Sequence, residues 1–246
     1  MKTSTFNMIV LGVAAVAGWG IYDYALPKFL QDGGPLVALL MALIIMLVAF
    51  VFERLFSLRK AQGKGQTATF LKNVQQAVNT GDIEGALSVC DKQRGSMANV
   101  IRTGLERYNT LVSSGDVKNA REMNENIQRS IEEATMLEVP MLERNLVSLS
   151  TIASIGTMVG LLGTVIGMIR AFNAMAVAGG QPDAIQLSRG ISEALVNTAG
   201  GLVAGIGGII SYNFFVTKID NFTYMIDEAS YAIVQSLAGR VPSKSK

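Results

Sequence analysis

The sequence predicts an all-α protein: a multi-span membrane helical bundle whose long helices extend into a cytoplasmic helical domain. Three observations carry that prediction. Long charge-free apolar stretches alternate with polar stretches that hold nearly all the charge. Between two of the apolar stretches, hydrophobic residues recur every three or four positions, the period of a helix face. Within the last two apolar stretches, glycines and other small residues recur at the same spacing.

The elements follow in chain order. Residues 1–32 form an N-terminal apolar segment with three open readings. Lys2, the apolar run Met8 to Tyr22 and Ala15-Val16-Ala17 fit a secretory signal. The same run fits an uncleaved extra span with its N-terminus inside. Its short core, with Trp19, Tyr22 and Tyr24, also fits an interfacial helix on the outer face. A first transmembrane helix is expected over 33–56, because Gly33 to Phe52 is uncharged and is closed by Glu53-Arg54. At a rise of about 1.5 Å per residue, about 20 residues cross a hydrocarbon core of about 30 Å. A cytoplasmic helical domain is expected over 57–144. A second span over 145–170 follows from the charge-free stretch Asn145 to Ile169, and a periplasmic loop takes 171–188. A third span over 189–217 contains the charge-free stretch Ala194 to Thr217, and a cytoplasmic C-terminal helix takes 218–246.

Charge sets the orientation. Ser57 to Arg144 holds most of the Lys and Arg, whereas Ala171 to Ser188 has neither and carries only Asp183. The positive-inside tendency therefore places 57–144 in the cytoplasm. Arg170 and Arg189, charges at the outer mouth, run against this trend, and pairing with Glu193, with Asp183 or with an acidic partner stays open for them.

Inside the polar domain, residues 66 to 112 read as short amphipathic helices punctuated by Asn79-Thr80-Gly81-Asp82 and Lys92-Gln93-Arg94-Gly95. Beyond Asp116, the residues Met123, Ile127, Ile131, Ala134, Leu137 and Met141 make one apolar stripe that runs toward the second span. The charges Arg121, Glu122, Glu125, Arg129, Glu132 and Glu133 read as its solvated face or as a partner-docking surface. Pro140 is expected to kink or weaken the ladder without ending the helix, giving a helix of several tens of residues.

Composition removes several function classes. Histidine is absent and Cys90 is the only cysteine, so His-based metal sites, Ser-His and Cys-His catalytic pairs, structural zinc and internal disulfides all lack parts. No metal, no cofactor and no enzymatic activity are expected. The net charge of +2, with no basic run interleaved with aromatics, gives no basis for nucleic-acid binding. Cys90, in Ala86-Leu87-Ser88-Val89-Cys90, reads as a small packed hydrophobe.

The chemistry concentrates in the last two spans. Gly156, Gly160, Gly163 and Gly167 fall on one helix face, and Gly190, Ala194, Asn197, Gly201, Gly205 and Gly208 make a matching stripe. Small residues at this spacing let membrane helices approach closely, within one subunit or between subunits. Thr157 and Thr164, then Glu193, Asn197 and Thr198, are set into these stripes. A threonine in a membrane helix ordinarily bonds the carbonyl four residues back, so each has a structural reading beside a pore-lining one. Glu193 is harder to dismiss. An unpaired charge at mid-helix costs about 2.5 to 3.5 kcal/mol or more, so it must pair, protonate or meet water, and Arg189 is the partner one turn away.

Glu138-Val139-Pro140 to Leu142-Glu143-Arg144, followed by Gly160-Leu161-Leu162-Gly163-Thr164-Val165-Ile166-Gly167-Met168, resembles the signature of the ExbB/TolQ/MotA proton-channel family. Gly190-Ile191-Ser192-Glu193-Ala194-Leu195 with Thr198-Ala199-Gly200-Gly201-Leu202 does the same. The resemblance is strong from about residue 135 to 220 and thinner through Glu53-Arg54 and Gly81-Asp82. The large cytoplasmic region and closing helix resemble ExbB most.

That resemblance implies a multi-pass protein of the bacterial inner membrane. It implies a homo-oligomer, a pentamer, around a dimer of single-span ExbD/TolR-like partners whose membrane Asp carries the proton, with membrane lipids around it. It further implies use of the proton gradient, through a TonB-like protein, to energise outer-membrane transport. A TolQ-like envelope motor and a stand-alone membrane channel or scaffold are the alternatives. Thr164 and Thr198 match the family's pore-facing threonines, and Glu193 matches its acidic residue on the last span.

Overall fold

The structure is a computed structural model, and it describes residues 3–114, 120–177 and 184–238. Every regular element among the described residues is helical. In chain order these are α1 (Thr3–Tyr24), α2 (Lys28–Gln31), α3 (Pro35–Gln62), α4 (Thr67–Thr80), α5 (Ile83–Gln93), α6 (Ser96–Ser114), α7 (Ala120–Glu143), α8 (Leu146–Val177) and α9 (Ala184–Ala238). The helical fold class expected from the sequence holds. Three of the described helical runs, those containing α3, α8 and α9, are long and apolar enough to cross a membrane, while Met8–Tyr24 in α1 is a shorter apolar stretch.

The chain divides into two compact units: Met1–Arg54 with Asn145–Phe215, and Leu55–Arg144 with Val216–Lys246. In the first unit, α1 runs against α3. A Cβ on Gly18 would lie 2.7 Å from the Ala42 nitrogen and 2.9 Å from the Ala38 oxygen, so only glycine permits this approach. Ala14 is buried one turn earlier, whereas Met8, Leu11, Val13, Val16 and Trp19 are exposed. The turn between the two helices is held by side chains: Gln31 Nε2 donates to the Tyr22 and Leu26 carbonyls at 3.1 and 3.0 Å, and Tyr22 Oη donates to the Gln31 carbonyl.

At the end of this unit, Arg54 is 1% exposed and forks onto its neighbour Glu53, with Nε to Oε2 and Nη2 to Oε1 both 2.7 Å. Asn145 Nδ2 reaches the same Glu53 Oε2 at 3.3 Å. A buried guanidinium is tolerable only when paired in this way.

The second unit is a water-type helical core. Asp82 caps α5 by accepting from Gly85 N at 2.8 Å, directly after Gly81 ends α4 in the left-handed region at φ 86°. These are the turn residues that the sequence marks. Arg94 and Gly95, both at positive φ, separate α5 from α6 as the second punctuation suggests. Val74, Val78, Ala86, Val100, Ile101, Leu105 and Ile127 are fully buried. On α9, Ile219, Phe222, Ile226, Ala229, Ile233 and Leu237 are buried at spacings of three and four, a helical stripe that the sequence reading did not pick out.

Two expectations shift. Pro140 does lie inside α7, but the helix ends at Glu143 and α8 starts afresh at Leu146, with Asn145 between them at φ 65°. The stripe over Met123, Ile127 and Ile131 is buried, whereas Leu137 and Met141 are 74% and 62% exposed and Leu142 is buried instead. Periodicity alone does not produce this change, because Met141 lies five full turns past Met123 and keeps the same face; the cover over that face ends beyond Ile131.

Candidate functional site

The polar residues of the last two spans sit along the contact between α8 and α9. That contact is made by the two small-residue stripes, within one subunit. A Cβ on Gly156 would lie 2.8 Å from the Ala204 Cβ, one on Gly160 2.9 Å from the Gly201 Cα, and one on Gly167 2.6 Å from the Gly190 carbonyl oxygen. Gly190, Gly201 and Gly208 return the same constraint from α9, with a Cβ on Gly208 meeting that of Ala153. Gly163 abuts Asn197, and Gly205 abuts the Thr157 hydroxyl. The antiparallel pair therefore has no room for any side chain at these positions. Large residues point the other way: Met158, Leu161, Val165, Leu195, Val203 and Ile206 are exposed.

At the loop end of this pair the structure assembles a polar cluster. Arg170 Nη1 donates to both carboxylate oxygens of Glu193, at 2.5 and 2.6 Å, with the carboxylate 9% and the guanidinium 54% exposed. Arg170, across the helix pair, is thus the partner of Glu193. Arg189 one turn away is exposed and belongs to no ion pair among the described residues. Asp183 lies outside the described residues.

Asn197 is fully buried and ties its own helix α9 to the turn ahead of α3. Its Nδ2 donates to the Gly33 carbonyl, ahead of α3, at 2.8 Å and to the Glu193 carbonyl at 2.9 Å. Its Oδ1 has no partner among the described residues. Gly34, at φ 73°, lies so close that a Cβ there would sit 2.9 Å from Glu193 Oε1. A side chain at Gly34 would therefore strain the backbone and collide with the carboxylate at once.

The three threonines are placed differently. Thr157 Oγ1 donates to the Ala153 carbonyl at 3.0 Å, Thr164 Oγ1 to the Leu161 carbonyl, and Thr198 Oγ1 to the Ala194 carbonyl at 3.1 Å with a longer 3.5 Å approach to the Gly160 carbonyl. Each hydroxyl is satisfied locally, the arrangement usual for membrane helices. Each also remains partly open in the single chain, Thr164 and Thr198 at intermediate exposure and Thr157 more so. A hydroxyl whose proton goes to its own helix still has a lone pair for a donor arriving from outside.

One feature was left open by the sequence and one escaped it. Pairing of Arg170 with Glu193 was among the sequence's alternatives, and the structure chooses it, because Gly167 opposite Gly190 brings position 170 level with the start of α9. The buried Arg54–Glu53 fork carries one signal, an arginine placed directly after a long uncharged run.

A helical membrane protein with two glycine-packed spans and a buried acid–amide cluster at one end defines a class: a bundle that keeps polar groups at membrane depth for ion work. The family follows from comparison. A model of the MotA/TolQ/ExbB proton channel family matches residues 92–228, more than half of the chain, and the chain belongs to that family. It is 33% identical over 119 residues to the Tol-Pal system protein TolQ of Haemophilus influenzae, covering 46% of this chain and 51% of that protein. It is 44% identical over 79 residues to the biopolymer transport protein ExbB of Helicobacter pylori, covering 32% of this chain and 54% of that one. For ExbB of Pseudomonas putida the identity is 37% over 86 residues, 35% of this chain and 26% of that protein. The chain spans about half, or less, of the length of the curated relatives it matches. With three helical runs able to span a bilayer, it is a multi-pass protein of the bacterial inner membrane.

Proposed function

We propose that this chain is the ExbB-like subunit of an inner-membrane proton-driven motor. It acts with an ExbD-like single-span partner to energise TonB-type outer-membrane transport. The subunit performs no bond chemistry. It assembles as a pentamer around the partner dimer, with residues 57–144 and 218–246 in the cytoplasm and 171–188 outside. Thr164 and Thr198 line the cavity that receives the partner helices and bond the partner's carboxyl when it is neutral. A polar group at that depth has no water to fall back on, so each hydroxyl matters. Glu193, held by Arg170 and carried on the helix that Asn197 ties to Gly33, fixes the charge at the outer end of this path.

The observation that carries this reading is the placement of partly open threonines beside a glycine-packed helix pair in a chain of this family. The test is co-purification with the products of neighbouring genes, followed by measurement of stoichiometry. A several-fold excess of this chain over a single-span protein with a membrane Asp supports the motor. A partner-free assembly with intact activity contradicts it.

A TolQ-like role in an envelope motor is the second reading. One observation favours it: the matched stretch to TolQ, 119 residues, is longer than those to the ExbB proteins named above, 79 and 86 residues. Loss of outer-membrane uptake on deletion supports the first role, and loss of envelope constriction with uptake intact supports the second.

A further inference from the structure

In the second unit, α7 and the C-terminal part of α9 flank a half-open pocket of about 370 Å³. That volume is within the range of small-ligand sites, about 300 to 1,000 Å³. Ile131, Met136 and Val234 supply its apolar lining, and Glu132 and Asp227 supply carboxylates. Ser230 also lines it.

Three observations say what this cavity lacks. Ser230 is 6% exposed, yet its Oγ has no hydrogen-bond partner among the described residues. A mid-helix serine ordinarily bonds the carbonyl four residues back, as Ser236 does to Ala232 at 2.9 Å on the same helix. Ser230 instead leaves a buried hydroxyl unsatisfied, at a cost of about 1 to 3 kcal/mol. The acids are also without counter-charge. Glu132 accepts only from the neutral amide of Gln128, at 3.0 Å, and Asp227 has no ion pair among the described residues. Neighbouring pairs are closed in comparison: Arg129 is engaged with Glu133, and Arg121 with Glu125. Two like charges on one small cavity, with no base between them, favour a cationic occupant.

We propose that this cavity is a binding site for a small organic ammonium ion, a compact apolar body carrying a protonated amine. The body fills the space between Ile131, Met136 and Val234. The ammonium lies among Glu132, Asp227 and the Ser230 hydroxyl, which accepts one of its three N–H groups. The proposal does not depend on the assignment of the proton path.

The test uses the full-length oligomer in nanodiscs, with 1-naphthylmethylammonium as fluorescent probe and 1-naphthylmethanol as its neutral match. The amine should bind saturably and at least about tenfold more tightly than the alcohol. Glu132→Gln with Asp227→Asn should erase that preference. Ser230→Ala should weaken binding severalfold, and Val234→Trp, which fills the cavity, should abolish it while helicity and oligomer size are retained. Equal affinity for amine and alcohol overturns the proposal, as does unsaturable uptake that no variant alters. If Val234→Trp instead breaks the oligomer and Ser230→Ala leaves amine binding unchanged, the cavity is a contact between copies of the chain and the ammonium site is refuted.

Discussion

The two compact units solve opposite packing problems. In the water-type unit, large residues are inside: Val74, Val100, Ile101, Leu105 and Ile127 are fully buried, and ion pairs such as Arg121–Glu125 face outward. In the membrane-type unit, glycines are inside, one buried asparagine ties α9 to the turn ahead of α3, and Leu161, Val165, Leu195 and Ile206 are exposed. Lipid offers no reward for hiding leucine, so close backbone approach and satisfied polar groups hold α8 to α9. Water rewards each buried methylene, so shape-filling residues hold α4 to α7. The same chain therefore breaks in different ways in its two units.

The comparison breaks most sharply at the glycines. Gly160→Leu or Gly163→Leu should abolish the folded oligomer on size-exclusion chromatography, because each position faces α9 backbone or the Asn197 side chain. Ile166→Leu, a swap of similar volume at a half-exposed position, should leave the oligomer intact. Next comes the water-type core. Ile101→Ala or Ile127→Ala should destabilise that unit by about 2 to 5 kcal/mol in denaturant melts that follow the unit itself. Asp82→Ala removes the cap on α5 and should cost about 1 kcal/mol in the same melts. The smallest effect is at Cys90, where burial, with Asp91 beside it, pushes the thiol up to about 12. Because the thiolate is the reactive form, alkylation of the folded protein at pH 8 should be far slower than that of the urea-unfolded chain.

The halves also differ in how much of them the sequence revealed. The turns at Gly81-Asp82 and Arg94-Gly95 were legible because positive φ and N-capping select particular residue types. The glycine stripes were legible because only small residues at that spacing serve a close helix contact. Local spacing pointed Glu193 to Arg189, four residues away, but the ion pair is tertiary and reaches Arg170 across the hairpin. The end of α7 was missed because the sequence shows Pro140 as the disturbance, while the chain breaks at Asn145, a residue type that tolerates the left-handed region. The stripe keeps helical spacing through Leu137 and Met141, so the sequence could not show that its cover ends beyond Ile131, which depends on what packs against the helix.

In the proposed function the glycine face is scaffold and the threonine hydroxyls are the working groups. The most direct measurement is proton-gradient-dependent activity in Thr164→Val and Thr198→Val, recorded beside oligomer size. Both substitutions keep shape and remove only the hydroxyl. An oligomer of normal size with activity lost in each variant is the expected result. Normal activity in both variants contradicts it.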